Sequence, residues 1–184
     1  ELFGETEHDF VWRSLADLLQ TTYGGKSIRR MLIDSGFKPG ASRGSDNQIY
    51  LFARNHRSRV SPTKGHDRLD KPLKSSLIDV SVRGRMIKHG VQLWHVDSDY
   101  FKSWVHARIQ WPPGESGAWH LASDTSDDYC KQIVAEARLA KASGRVVWVK
   151  TSKDNHYLDC ESLNVAAAHM LAVHNLRQIG RAHV

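Results

Sequence analysis

The chain has 184 residues, 40% hydrophobic and 25% charged, which is the balance of a soluble globular protein and excludes a disordered one. That length fits one domain of ordinary size, or a domain with a tail. No stretch approaches the ~20 apolar residues of a membrane span, and the opening ELFGETEHDF lacks the basic-then-apolar layout of a secretory signal. The formal charge of +6 and a pI near 9.4 point to a polyanionic partner.

In chain order, DFVWRSLADLLQTTY puts Val11, Leu15, Leu18 and Leu19 on one helical face, with Asp9 as N-cap and Gly24-Gly25 ending the helix. SIRRMLIDSG reads as a strand from Ser27 whose end carries Asp34. KPGASRGSD reads as a loop, and NQIYLFARN as a short helix, with a strand as the alternative. Residues 54–74 hold seven Lys or Arg (54, 57, 59, 64, 68, 71, 74) against Asp67 and Asp70. They include two prolines and few apolar residues, so a basic loop is expected, either merely solvated or in contact with nucleic-acid phosphates.

SSLIDVSVRG and HGVQLWHVDSD read as strands, the second ending at Asp97 and Asp99. DYFKSWVHARI follows as a helix, QWPPGESGAW as a turn-rich connection, and SDDYCKQIVAEARLAKASG as one helix with a Ser or Asp cap and Gly144 beyond its end. RVVWVK reads as a buried strand. A closing helix runs over about 156–176 with Leu163, Ala166, Ala167, Met170 and Val173 as its apolar stripe. Strands alternating with helices predict an α/β fold with a mixed central sheet and helices on both faces.

GGKS at positions 24–27 imitates the end of a phosphate-binding loop. Position 20 is Gln where that motif requires Gly, and a helix precedes it where a strand should, so ATP binding is rejected. The acids at element edges carry more. Asp34 ends an apolar strand, where α/β ligand sites form, although Asp-Ser-Gly also turns a chain unaided. Asp97 and Asp99 share a strand-to-helix junction that one of them suffices to cap. In DNHYLDCE, His156 and Asp159 stand at i and i+3 of a helix opening, with Glu161 two residues on. Carboxylates gathered from separate elements suit divalent cations, which take hard oxygen ligands and, as a pair, promote phosphodiester hydrolysis.

The motif order MLIDSG, RVSPTKG, VQLWHVDSDYFKSWVHARI, GAWHLASDTSDDYCKQIVAEAR and NHYLDCESLNVAAAHML resembles the C-terminal nuclease domain of the large terminase subunit of tailed bacteriophages, in the lambda-like branch. The resemblance covers about 11–176, leaving 1–10 as linker and 177–184 as a tail. It implies an RNase H-like fold and an endonuclease that cuts concatemeric viral DNA to genome-length units with Mg²⁺ or Mn²⁺, two ions being expected. It implies Asp34, Asp99 and Asp159 as catalytic metal ligands, with Asp97, His156 and Glu161 as further candidates. The family pattern at the middle acid reads roughly GVDTAK, which aligns Asp99 with the shared Asp and Lys102 near the shared Lys. Asp97 falls where Gly is usual, and either Asp fits the pattern.

Contacts to double-stranded DNA are expected from Arg54, Arg57, Arg59, Lys64, Arg68 and Lys102, holding the backbone without reading sequence. The full subunit would add an ATPase motor, absent from these residues, and would work with the small terminase subunit and the portal of the procapsid. The domain alone is expected to be a monomer. Cys130 and Cys160 lack CxxC or Cys/His zinc spacing, which fits a reduced setting such as the host-cell cytoplasm. Two rivals are a non-cutting nucleic-acid-binding module of the same fold and another RNase H-like nuclease of resolvase or transposase type. A zinc hydrolase is disfavoured because no HExxH is present.

Overall fold

The computed structural model describes residues 8–36 and 47–175. The expected loop over 38–46, most of the N-terminal linker and the C-terminal tail lie outside these residues. Contacts divide the chain into two compact units, residues 1–66 with 73–96, and residues 67–72 with 97–184.

The first unit opens with helix α1 (Asp9–Gln20). Its preceding residue is His8, which makes no side-chain cap, so Asp9 lies in the first turn and favours the helix dipole there rather than capping it. The expected helix end at Gly24-Gly25 is instead the turn of a small antiparallel hairpin, β1 (Thr22–Tyr23) with β2 (Lys26–Ser27). Both glycines have positive φ, 56° and 75°, as a two-residue hairpin turn of this hand demands. The apolar strand therefore starts later than Ser27, as β3 (Met31–Asp34).

Helix α2 (Gln48–Asn55) forms where NQIYLFARN predicts one, with the Asn47 side chain accepting from the backbone N–H of Tyr50. The basic stretch departs most from expectation, because its middle is strand β4 (Val60–His66). Its first four residues are buried, and it pairs in parallel with β3 from Met31↔Val60 to Asp34↔Thr63. Two prolines and many charges hid a core strand.

The long strands β5 (Leu73–Val82) and β6 (Arg85–Asp97) form an antiparallel ribbon with a register shift between Ile78 and Val80. The sheet order β3-β4-β6-β5 is mixed, with parallel and antiparallel neighbours. Leu19, Phe52, Ala53 and Val60 are its buried core against α1 and α2, with Trp12, Leu15, Met31 and Ile33 packed around them. This mixed α/β arrangement, a central mixed sheet flanked by helices, is compatible with an RNase H-like fold.

In the second unit, helix α3 (Ser98–Ile109) buries Phe101 and Val105 completely. Helix α4 (Asp127–Ile133) is capped by Ser126, whose hydroxyl accepts from the Tyr129 N–H. The single helix expected over this segment is overturned here: it stops at Ile133, and Glu136–Ala140 is strand β7, paired antiparallel with β8 (Val146–Lys150). EARLA favours a helix by propensity, but the β-branched VVWVK needs a backbone partner, and Gly144 at φ 77° helps turn the chain to supply one. Strand β8 is also not the buried strand expected, since its residues are exposed or half-buried. Helix α5 (His156–Met170) buries Leu158, Ser162 and Ala166 and gives way to a short 3₁₀ turn at Val173–Asn175.

Leu19 has no exposed surface and anchors the first unit's core. Leu19→Ala is expected to cost about 2–5 kcal/mol of stability, read from urea unfolding midpoints. A loss under ~1 kcal/mol would show that this core does not hold α1 to the sheet.

Candidate active site

Asp34 closes β3, and the next residue fixes it in place. Ser35 is buried and its hydroxyl donates to the Thr63 carbonyl at 2.7 Å, while the Ser35 N–H reaches the same oxygen at 2.8 Å. The Asp34 carboxylate is left exposed, with Oδ1 accepting from the Gly36 N–H at 3.1 Å. A Cβ on residue 36 would lie 3.3 Å from Oδ2, so glycine leaves the carboxylate its place beside the turn. The Asp-Ser-Gly turn and an accessible acid are thus the same feature.

In the second unit the two acids of the strand-to-helix junction divide their work. Asp97 is 5% exposed and caps α3: Oδ1 accepts from Tyr100 N–H and Oδ2 from Leu69 N–H, each at 2.8 Å. Asp99 faces β7 and β8. Arg138 grips it with two hydrogen bonds of 3.0 and 3.1 Å, and the Trp148 indole N–H donates to Oδ1 at 3.0 Å. Both carboxylates are therefore engaged by protein donors.

One turn along α3, Lys102 reaches the densest charge cluster of the unit. Its ammonium donates to both oxygens of Glu136 at 2.8 and 2.9 Å and lies 2.9 Å from Asp159 Oδ1. Asn155 precedes α5 but does not cap it; its side-chain N–H₂ donates to Glu136 Oε1 and, at 3.1 Å, to Asp159 Oδ2. Glu136 is 5% exposed and Lys102 12%, whereas Asp159 is 50% exposed. Burial alone would lower the Lys102 pKa, but the hydrogen bonds to Glu136 and Asp159 outweigh it and raise the net value. Two negative groups against one positive leave the cluster with spare negative charge, which suits a further cation.

His106, one more turn along, packs at a tilt of 50° against Trp148 with 4.8 Å between centroids, and its Nε2 is buried without a hydrogen-bond partner among the described residues. Burial, chiefly, and the Lys102 charge lower its pKa, while Glu136 opposes them. His156 is largely exposed, 3.9 Å from Asp154, and Glu161 accepts from the Tyr129 hydroxyl at 2.6 Å. That bond and, above all, burial push the Tyr129 pKa up.

The expected DNA-contacting residues separate by unit. Arg54 and Arg57 line a groove of the first unit, and Lys64 is exposed on β4. Arg59 is instead tied to the C-terminal end of α1, donating to the Leu19 carbonyl at 2.6 Å. In the second unit Arg68 borders a shallow depression with Asp97, Asp99, Tyr100 and Arg138, and Lys102 lies within the acid cluster. Among the described residues no three His, Cys, Asp or Glu side chains gather as a metal site. Sequence reasoning missed Glu136 and Asn155. The turn signal KASG before RVVWV marks a hairpin, and reading it would have placed Glu136 at a strand start.

Lys102→Met strips the counter-charge from buried Glu136 and is expected to cost about 3 kcal/mol in chemical denaturation. Adding Glu136→Gln should restore part of that loss, and strict additivity of the two would show that the groups do not interact. For His106 the folded state disfavours the proton, so its contribution is complete above the ordinary value of 6.5 and drains as pH falls through the lowered folded value. Unfolding midpoints should decline as pH falls below 6.5 and level off beneath the lowered folded value, and His106→Phe should flatten the decline. His95 and His169, also lowered by burial, will keep some slope.

No curated protein and no solved structure matches this chain. Among the described residues no helix is long and apolar enough to cross a membrane. Residues 1–179 match the family model of the terminase large subunit gpA endonuclease domain, and the chain belongs to that family, whose nuclease serves phage DNA packaging.

Proposed function

We propose that this domain is a metal-dependent endodeoxyribonuclease that cuts concatemeric phage DNA into genome-length units. The observation that carries the reading is the convergence of Asp159 and Glu136, from two different elements, on a single cationic group. Mg²⁺ takes hard oxygen ligands and is commonly held by only one or two carboxylates, with water and substrate phosphate completing its shell. Half-exposed Asp159 beside buried Glu136 is a donor set of that chemistry.

Asp34 and Asp159 are the proposed ligands for Mg²⁺ or Mn²⁺, two ions in all, with Asp99 as the third acid. Glu136 competes for that third place, because both Asp99 oxygens already accept from Arg138 and Trp148. Asp97, His156 and Glu161 are auxiliary candidates. When bound, the ions would acidify a water and stabilise charge on the phosphate. The chain's own groups do the rest. Lys102 holds Asp159 and Glu136 in register and would turn to phosphate once a cation offsets the acids. Asn155 orients the same two carboxylates. Arg54, Arg57 and Lys64 would grip the duplex backbone irrespective of sequence. Water adds across the phosphodiester and leaves a 3′-hydroxyl and a 5′-phosphate. Choice of cut site would then fall to the small terminase subunit, with the portal of the procapsid receiving the DNA.

Plasmid nicking with Mn²⁺ tests this. Asp34→Asn and Asp159→Asn should each lower the rate by about a hundredfold or more, roughly 3 kcal/mol of barrier. Full activity in either variant defeats the assignment. Asp99→Asn against Glu136→Gln identifies the third acid as the one whose loss matches Asp159→Asn.

A further inference from the structure

One hydrogen-bonded chain of side chains in the first unit plays no part in the proposed cutting of DNA. Strand β6 lies between β4 and β5 in the sheet, and each of the three strands supplies one member. His66, the last residue of β4, meets His95 of β6 with its Nε2 2.8 Å from the partner's Nδ1. The other nitrogen of His95, Nε2, lies 2.9 Å from the Ser76 hydroxyl on β5.

Strand pairing brings the three together. Lys74 stands opposite His95 and Ser76 opposite Leu93, and residues two apart on a strand share a face, so Ser76 is a diagonal neighbour of His95. Diagonal neighbours are about 7–8 Å apart, a gap that a ring spans and two short side chains do not. The His66 and His95 rings lie 5.0 Å apart between centroids with a tilt of 50°. Both histidines are half-buried, whereas Ser76 is exposed. Lys64 and Lys74, on the same face, are exposed and act on His95 through their charge.

From the hydroxyl inward the order is nucleophile, base and a group that orients the base, the arrangement that activates a serine. A neutral imidazole carries one N–H. When Ser76 donates to His95 Nε2, the His95 Nδ1–H therefore donates to His66 Nε2. His66 then takes the place that a carboxylate holds in the Ser-His-Asp triad.

We infer that Ser76 is a nucleophile towards activated carboxylic esters, with His95 as its base and His66 as the residue that positions the base. Ser76 Oγ bonds to the ester carbonyl carbon as its proton passes to His95 Nε2. The C–O bond to the leaving group breaks, and that proton departs with the alcohol or phenol. Water, deprotonated by the same nitrogen, then cleaves the acyl-serine to the free acid and restores Ser76. The ammoniums of Lys64 and Lys74 would meet the charge that develops on the carbonyl oxygen. Because Ser76 stands open on its strand, reactivity sets the substrate class: small esters with good leaving groups. The inference does not depend on the nuclease reading.

The test is acetylation of the 184-residue chain by p-nitrophenyl acetate, followed by release of p-nitrophenolate. The acetyl group is trapped with acid and located by peptide mass spectrometry. It should lie on Ser76, and Ser76→Ala should abolish the protein-dependent release. His95→Gln should slow acetylation about a hundredfold, as loss of a general base does. His66→Leu should slow it at least about tenfold, since the base loses the partner that fixes its tautomer. His66→Gln offers an amide oxygen to the His95 Nδ1–H and should recover most of the rate, whereas a merely structural His66 would leave the two variants equal. Ser75, on the opposite face, accepts from Gln92, and Ser75→Ala should stay within about twofold. Urea midpoints measured alongside separate lost reactivity from lost structure. Acetyl groups on Lys64 or Lys74 in place of Ser76, or a rate that survives His95→Gln, would overturn the proposal.

Discussion

A single ammonium shared by two carboxylates is the constraint on which the second unit is built. Lys102 comes from α3, Glu136 from the start of β7 and Asp159 from the first turn of α5. Burying Glu136 without a partner would cost several kcal/mol, so β7 can begin there only if α3 delivers its lysine. The demand propagates outward. Strand β7 must leave the helical path its composition prefers, β8 must pair with it, and Asn155 gives up capping α5 to hold the same carboxylates. An alanine-rich helix opening with acids is accounted for as well. Asp159 complements the dipole of α5 while its carboxylate completes the ion cluster.

How much of this the sequence revealed depended on how local the signal was. The helices α2 and α3 were legible because caps and apolar spacing sit within each segment, as with Asn47 and Asp97 accepting N–H bonds three residues on; α5 was legible as a helix, but of its expected apolar stripe only Ala166 is buried, Leu158 and Ser162 being its other buried residues. Asp34 at a strand end was legible for the same reason. Strand β4 was not, because Lys64, His66 and the prolines masked a four-residue buried run whose partner, β3, lies some thirty residues earlier. The hairpin β7–β8 was hidden by Glu, Ala, Arg and Leu, whose helical preference amounts to a few tenths of a kcal/mol each and yields to pairing and to the Lys102 bond. Glu136 and Asn155 were lost with it, since their roles exist only after three separate elements have met.

The two units are chemically opposite. The first exposes arginines in a groove without acids, while the second gathers carboxylates with an excess of negative charge at its core. A net charge of +6 conceals this division. A basic surface attracts polyanions at long range, whereas an acid cluster repels them.

Exposure ranks these acids by how readily a group from solvent could reach them. Asp97 is 5% exposed with both oxygens capped, and Asp99 is 20% exposed between a bidentate arginine and an indole. Detaching either would break a helix cap or strand Arg138, at about 1 kcal/mol for the cap and more for the ion pair. Asp159, at 50%, faces solvent while already resting against a cation that moves easily on its four-carbon stem. Asp34 is exposed too, with one oxygen held only by the Gly36 N–H. The cost of recruiting a carboxylate thus rises from Asp34 and Asp159 to Asp99 and then Asp97. Asp34 and Asp159 are thus the readily reached acids of the four, each within its own unit, while the paired acids of the α3 junction keep the helix in place.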